Sequence, residues 1–156
     1  MSETKPVPPL QNAVLCQIGF VAKDAARVAG KLAEITGMEP GEPIITDGVE
    51  KARTEFRGQP SSARAKLIFF NMGQVSIEII EPIGGPSTWK EFLDKHGDGV
   101  HHIAFTVKST KAAADVLSTH GIPPVQSGVF DGGSYVYSDA EKELGVILEL
   151  LDRTDG

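Results

Sequence analysis

No apolar run in this sequence approaches the roughly 20 residues that a helix needs to cross a bilayer, and no dense block of lysine and arginine interrupts it. The first absence excludes a helical membrane span. The second, with 15 Lys+Arg against 21 Asp+Glu and a net charge of −6, argues against broad contact with nucleic-acid phosphates and against a polybasic membrane anchor. Cys16 is the single cysteine, so an internal disulfide is impossible. No basic, apolar, small-residue series opens the chain as a secretory signal would, and a reducing cytoplasm is the expected setting. What is there is ordinary. With 156 residues, 40% of them apolar and 23% charged, the chain can build a core without staples. Function is therefore expected in a small site that takes a small-molecule substrate.

Residues 1–12, MSETKPVPPLQN, hold three prolines and no periodicity, which reads as a flexible tail before a domain over 13–152. AVLCQIGFVA (13–22) is an apolar run of strand length, and Asp24 stands where a helix N-cap belongs. Ala25, Val28, Ala29, Leu32 and Ile35 then recur at helical spacing up to Gly37. From Gly41 to Gln59 the sequence turns polar, with one short strand expected near 51–57. AKLIFFNM (65–72) and QVSIEIIEP (74–82) read as strands joined tightly at Gly73. PSTWKEFLDKHG (86–97) reads as a linker helix capped by Ser87 or Thr88, with Glu91 completing a Thr-x-x-Glu box. The pattern then restarts: GVHHIAFTV (99–107) as a strand, a helix capped by Ser109 or Thr110, and strands at 124–130, 134–138 and 145–151.

This restart is an internal repeat. A shift of 85 positions lays CQIGFVAK (16–23) on HHIAFTVK (101–108), and a shift of 71 lays VSIEIIE (75–81) on VILELLD (146–152). The first copy, about 13–82, is 14 residues longer than the second, about 99–152, and the surplus falls between Gly41 and Lys66. Side chains alternate along a strand, so Gln17 shares a face with Gly19 and His102 with Ala104. A small neighbour in each copy leaves room in front of Gln17 and His102. Glu78 and Glu149 sit at equivalent places in the closing strands. If the two sheets curl so that their concave faces meet, Gln17, Glu78, His102 and Glu149 converge on one cavity. Two buried carboxylates close together cost several kcal/mol each unless a cation or a shared proton offsets them. A divalent metal would resolve the conflict.

The segments IEIIEPIGGPSTWKEFLDKHGDGVHHIAFTV (77–107) and GVILELLD (145–152) resemble methylmalonyl-CoA epimerases of the vicinal oxygen chelate superfamily, which also contains glyoxalase I, extradiol dioxygenases and bleomycin-resistance proteins. The resemblance covers nearly all of 13–152. It implies an α+β fold in which two βαβββ modules form a cupped mixed β-sheet, with helices on the outer face, around one divalent metal ion such as Zn, Co, Ni or Mn. It places the metal ligands at Gln17, Glu78, His102 and Glu149. Epimerases usually carry His where this chain has Gln17, and an amide oxygen is a weaker donor than imidazole. A Gln, Glu, His, Glu set is similar to the zinc site of some glyoxalase I enzymes. The resemblance also implies a homodimer and an isomerase or epimerase acting on a small carboxylate or acyl-CoA through a metal-stabilised enolate.

In that reaction Glu149 matches one catalytic acid/base. The second falls in the unmatched segment, at Glu55, or at Gln59 if the alignment carries no gap. A glyoxalase-type lyase is the alternative, favoured by the ligand set and disfavoured by missing ELTxN and DPDGxxIE strand endings. A non-catalytic small-molecule-binding protein is a third reading. An iron dioxygenase fits less well, because it needs two His and one carboxylate. His101 is expected to point away from His102, in a structural or interface role. His96 and His120 suit helix C-termini, Trp89 a packing anchor. Gly132 to Tyr135 is either a loop over the cup mouth or a plain turn.

Overall fold

Runs of alternating and β-branched residues build one twisted sheet, and short capped helices link its strands. The computed structural model describes residues 7–153. In chain order these form β1 (Val14–Val21), α1 (Ala25–Thr36), β2 (Ile44–Ile45), α2 (Val49–Ala52), β3 (Glu55–Phe56), β4 (Gln59–Pro60), β5 (Arg64–Met72), β6 (Val75–Ile83), α3 (Thr88–His96), β7 (Gly99–Thr106), α4 (Thr110–Thr119), β8 (Pro124–Phe130), β9 (Gly133–Ala140), α5 (Glu141–Leu144) and β10 (Val146–Arg153). The strand order is β2-β5-β6-β1-β7-β10-β9-β8-β3-β4. Both expected modules are present, and the curled mixed sheet is α+β. Of the expected tail, residues 1–6 lie outside the described residues. Residues 9–12 form a turn, with Gln11 N–H donating to the Pro8 carbonyl, and Leu10 packs against the core.

The repeat shows in the pairing. β1 and β7 join the two halves antiparallel, with Ile18 opposite Ile103, and each runs parallel to the closing strand of its own module. Gly19 lies beside Glu78, and Ala104 beside Glu149. The helix N-termini follow the same symmetry. Asp24 caps α1 and Ser109 caps α4. The Glu81 carboxylate accepts from Ala25 N at 2.9 Å, and Asp152, its counterpart in the repeat, accepts from Thr110 N at 3.1 Å. Each closing strand thus places a negative charge on the positive end of its own helix.

Helices α1 and α4 cover the outer face, over Ile68, Phe70 and Ile79 in one module and Leu148, Leu150 and Ala140 in the other. Helix α3 departs from the expectation that all helices lie outside. Its Trp89, Phe92 and Leu93 pack with Val21, Ile80, Tyr137 and Ile147, which share the concave face with the four polar residues. Ser87 is the cap of α3, accepting from Lys90 N, so Glu91 forms no box with Thr88 and instead reaches Arg57 at 2.8 Å.

The unmatched segment also differs from one short strand near 51–57. It contains β2, paired with β5, then α2 and the two-residue strands β3 and β4, which pair with each other, and β3 also pairs with β8 of the other module. Pairing of such short strands leaves almost no pattern in the sequence. Tyr135 sits beyond a plain turn at Gly132, whose φ is 92°.

Gly19 is constrained by space. A Cβ there would land on the imidazole of His102, so the glycine left room for the histidine of the other module rather than for a ligand of Gln17. Gly19→Ala is expected to destabilise the protein by about 1–3 kcal/mol through overpacking. Urea unfolding measures this, and an unchanged midpoint contradicts it.

Candidate functional site

Four strands, two from each half, carry the candidate residues into the concave face. Gln17 comes from β1, Glu78 from β6, His102 from β7 and Glu149 from β10. All four are buried, with exposures of 8%, 7%, 0% and 4%. The His102 Nε2 atom is the hub. It lies 2.9 Å from Gln17 Oε1, 2.8 Å from Glu149 Oε2 and 4.0 Å from Glu78 Oε1. Gln17 Nε2 donates to Glu78 Oε2 at 3.3 Å. The structure therefore brings these four expected residues together.

Glu55 is not among them. It is exposed and pairs with Ser127, so it shares the outer face, while its neighbour Phe56 pairs with Gln126 on the inner one. Glu55 also lines a groove beside Thr110 and Lys111 of α4. Gln59 is likewise exposed. Neither side chain belongs to the cluster.

The charges in the cluster are strained. Burial first, then the neighbouring Glu149, pushes the Glu78 carboxyl up to about 8. Burial opposes a charge on His102, but Glu149, and then Glu78, outweigh it and raise that imidazole. One ring N–H cannot satisfy every oxygen around it. A hydrogen on Nε2 would face both Gln17 Oε1, at 2.9 Å, and Glu149 Oε2, at 2.8 Å, and with the bond made to Gln17 the buried Glu149 Oε2 has no hydrogen-bond partner among the described residues.

His101 corrects the expectation from strand alternation. Gly19 pairs with His102 and Phe20 with Val100, so His101 is an extra residue in a β-bulge. A bulge sets two residues against one and breaks the period of two. His101 consequently turns to the same side as His102, with Nδ1 2.9 Å from His102 Nδ1, and packs against Phe92 and Tyr137. β1 carries a bulge at Cys16, the equivalent place in the repeat.

Sequence reasoning gave Trp89 its packing role, which its burial bears out, but missed the aromatic wall to which it belongs. Trp89 Nε1 donates to Tyr137 Oη at 2.9 Å, and the Tyr137 ring lies 5.2 Å from that of His102. The Tyr135 ring packs beside it, tilted by 52°, and burial pushes its hydroxyl up to about 12. A Cβ on Gly128 would collide with that ring. A cleft of about 780 Å³ between α3 and the β9–α5 corner reaches His101, but none of the four clustered residues lines it. Among the described residues, no three His, Cys, Asp or Glu side chains surround a preset metal position. Nε2 itself sits against the oxygens, and the fourth donor is an amide.

The family model described as "Glyoxalase/Bleomycin resistance protein/Dioxygenase superfamily" matches residues 16–137. Among curated proteins, an uncharacterized protein YqjC of Bacillus subtilis is 29% identical over 93 residues, covering 57% of this chain and 66% of the relative. An ethylmalonyl-CoA/methylmalonyl-CoA epimerase of Cereibacter sphaeroides is 35% identical over 63 residues, 40% of this chain and 47% of the relative. The chain thus spans just under two thirds of the first relative's length and about half of the second's. Among solved structures, a methylmalonyl-CoA epimerase in complex with methylmalonyl-CoA and ammonium superposes with a TM-score of 0.62 at 19% identity, covering 92% of this chain and 96% of that one.

The raised Glu78 carboxyl makes stability depend on pH. The folded chain holds a proton that an unfolded carboxyl, at its ordinary value of 4.5, has released, so stability falls as pH rises from about 4.5 to about 8. Glu78→Gln is expected to flatten this slope in chelator-treated protein. Denaturant titrations across that range measure it, and equal slopes for the two proteins contradict it.

Proposed function

Because the chain belongs to the glyoxalase/bleomycin resistance protein/dioxygenase superfamily, we propose that it is a metal-dependent isomerase or epimerase that moves a proton on an acidic carbon of an acyl-CoA or small carboxylate substrate. The observation that carries the reading is the cluster of two buried carboxylates, one imidazole and one amide oxygen around His102 Nε2. The donor set fits one divalent cation. Such an ion would offset the charge that burial resists and would give the orphaned Glu149 Oε2 a partner. Gln17, Glu78, His102 and Glu149 would hold it. Once bound, it supplies Lewis acidity toward substrate oxygens.

The protein side of the chemistry lies with Glu149 and the aromatic wall. In this proposal the Glu149 carboxylate takes the proton from the acidic carbon and returns it, a role worth about 10²–10⁴-fold in rate. Trp89 and Tyr137 exclude water behind it. Inversion at carbon needs a second proton carrier on the opposite side, and Glu55 is on the wrong face for it. The geometry therefore supports proton removal and return more directly than epimerisation. The shared acyl-CoA chemistry of the Cereibacter relative and the solved epimerase supports the substrate class. A homodimer in the cytoplasm completes the proposal, and no helix among the described residues is long and apolar enough to cross a membrane.

The pairing of Gln17 with Glu78 also suits a glyoxalase-type lyase, and the hemithioacetal of glutathione is the substrate that separates the two readings. For the leading one, methylmalonyl-CoA in D₂O is the direct probe, followed by proton NMR at the acidic carbon. Wild-type protein loaded with a divalent ion is expected to exchange that proton. His102→Ala and Glu149→Ala are expected to slow exchange by at least about 10²-fold. Full activity in either variant, or after chelation, contradicts the proposal.

A further inference from the structure

We infer that His101 is a positioning residue, which fixes the ring orientation and tautomer of His102 through a buried imidazole–imidazole hydrogen bond. The inference deepens the metal reading above and rests on it for its affinity arm. His102 has two ring nitrogens, and the structure assigns them different neighbours. Nε2 faces the oxygens of Gln17, Glu78 and Glu149, while Nδ1 faces only His101 Nδ1, at 2.9 Å. Both rings are essentially closed to solvent, at 1% and 0% exposure, so water cannot substitute for either partner.

Two nitrogens at that distance share one proton, and its position decides what Nε2 can do. With the proton on His102 Nδ1, Nε2 of a neutral ring has a free lone pair and becomes a ligand. With the proton on His101, Nε2 of a neutral His102 must carry its own hydrogen and can only donate, toward Gln17 Oε1 or Glu149 Oε2. Histidine ligands generally bond through their second ring nitrogen to a carboxylate or carbonyl, which sets tautomer and orientation. Here an uncharged imidazole takes that place, as an acceptor that adds no negative charge beside two carboxylates.

The remaining atoms of His101 are also consistent with one function. Its Nε2 has no hydrogen-bond partner among the described residues, and its polar connection runs through Nδ1 to His102. Phe92 and Tyr137 pack edge-on against the ring at 5.5 Å and 5.3 Å and hold it. The bulge supplies the geometry, because an unbroken strand would have turned His101 to the outer face.

The test has two arms. In the first, Co²⁺ affinity of the full chain is measured by competition with a chelating dye for wild type, His101→Phe and His101→Asn. His101→Phe is expected to bind about 10–100-fold more weakly, and His101→Asn, whose side-chain oxygen can accept from His102 Nδ1, to recover part of that loss. Thermal unfolding of both variants separates lost positioning from lost folding. In the second arm, ¹⁵N-histidine NMR of the metal-free protein is expected to show one proton shared by the two Nδ1 atoms and protected from exchange. Undiminished affinity in a folded His101→Phe overturns the inference, as does the absence of a shared proton. A wild type that takes up no Co²⁺ defeats the metal reading itself, and the NMR arm then decides the role of His101.

Discussion

Two carboxylates buried against a single imidazole are the constraint on which the rest of this structure depends. Glu78 and Glu149 come from equivalent strands of the two halves and meet at one His102 nitrogen. Removing each charge from water costs several kcal/mol, a large fraction of the ~5–15 kcal/mol by which a domain is stable. A single ring proton cannot repay that cost, and Glu78 accordingly holds its own proton up to a pH of about 8. Burial that is this expensive is a hallmark of a site built for something other than stability.

The fold makes the convergence possible by duplication. Each half alone supplies one carboxylate and one opening-strand residue. Antiparallel joining of β1 and β7 about Ile18 and Ile103 sets the two pairs face to face. Gly19 opens the space that the other half's histidine fills. Bulges at Cys16 and His101 re-aim the residues next to Gln17 and His102. The crossing segment, docked by β3 onto β8, and helix α3, docked by Trp89, close the concave face from two sides. Placing Arg57 of the segment against Glu91 of the helix ties these closures together, though an exposed pair contributes little by itself.

Much of this was legible in the residues. The offsets of 85 and 71 already superposed Gln17 on His102 and Glu78 on Glu149, and they also aligned Glu81 with Asp152, whose shared duty at the helix N-termini only the structure shows. Gly37 and Gly97 marked helix ends because a left-handed or otherwise positive φ stops a helix there. Three features were not legible. A bulge adds one residue without changing composition, so alternation assigned His101 to the wrong face. A two-residue strand such as β3 has no periodicity, so its pairing with the other half, and with it the outward turn of Glu55, had no signal. The amphipathic spacing of α3 says that a face is buried, not against which side of the sheet.

The central claim is that both halves build one cation site. X-ray absorption of the Co²⁺-loaded protein tests it most directly, by counting ligands. The account predicts one ion per chain, bound by a single histidine nitrogen with oxygen donors otherwise, and loss of that nitrogen in His102→Ala. A bound ion with no histidine, or with more than one, contradicts it, as does a chain that binds no ion.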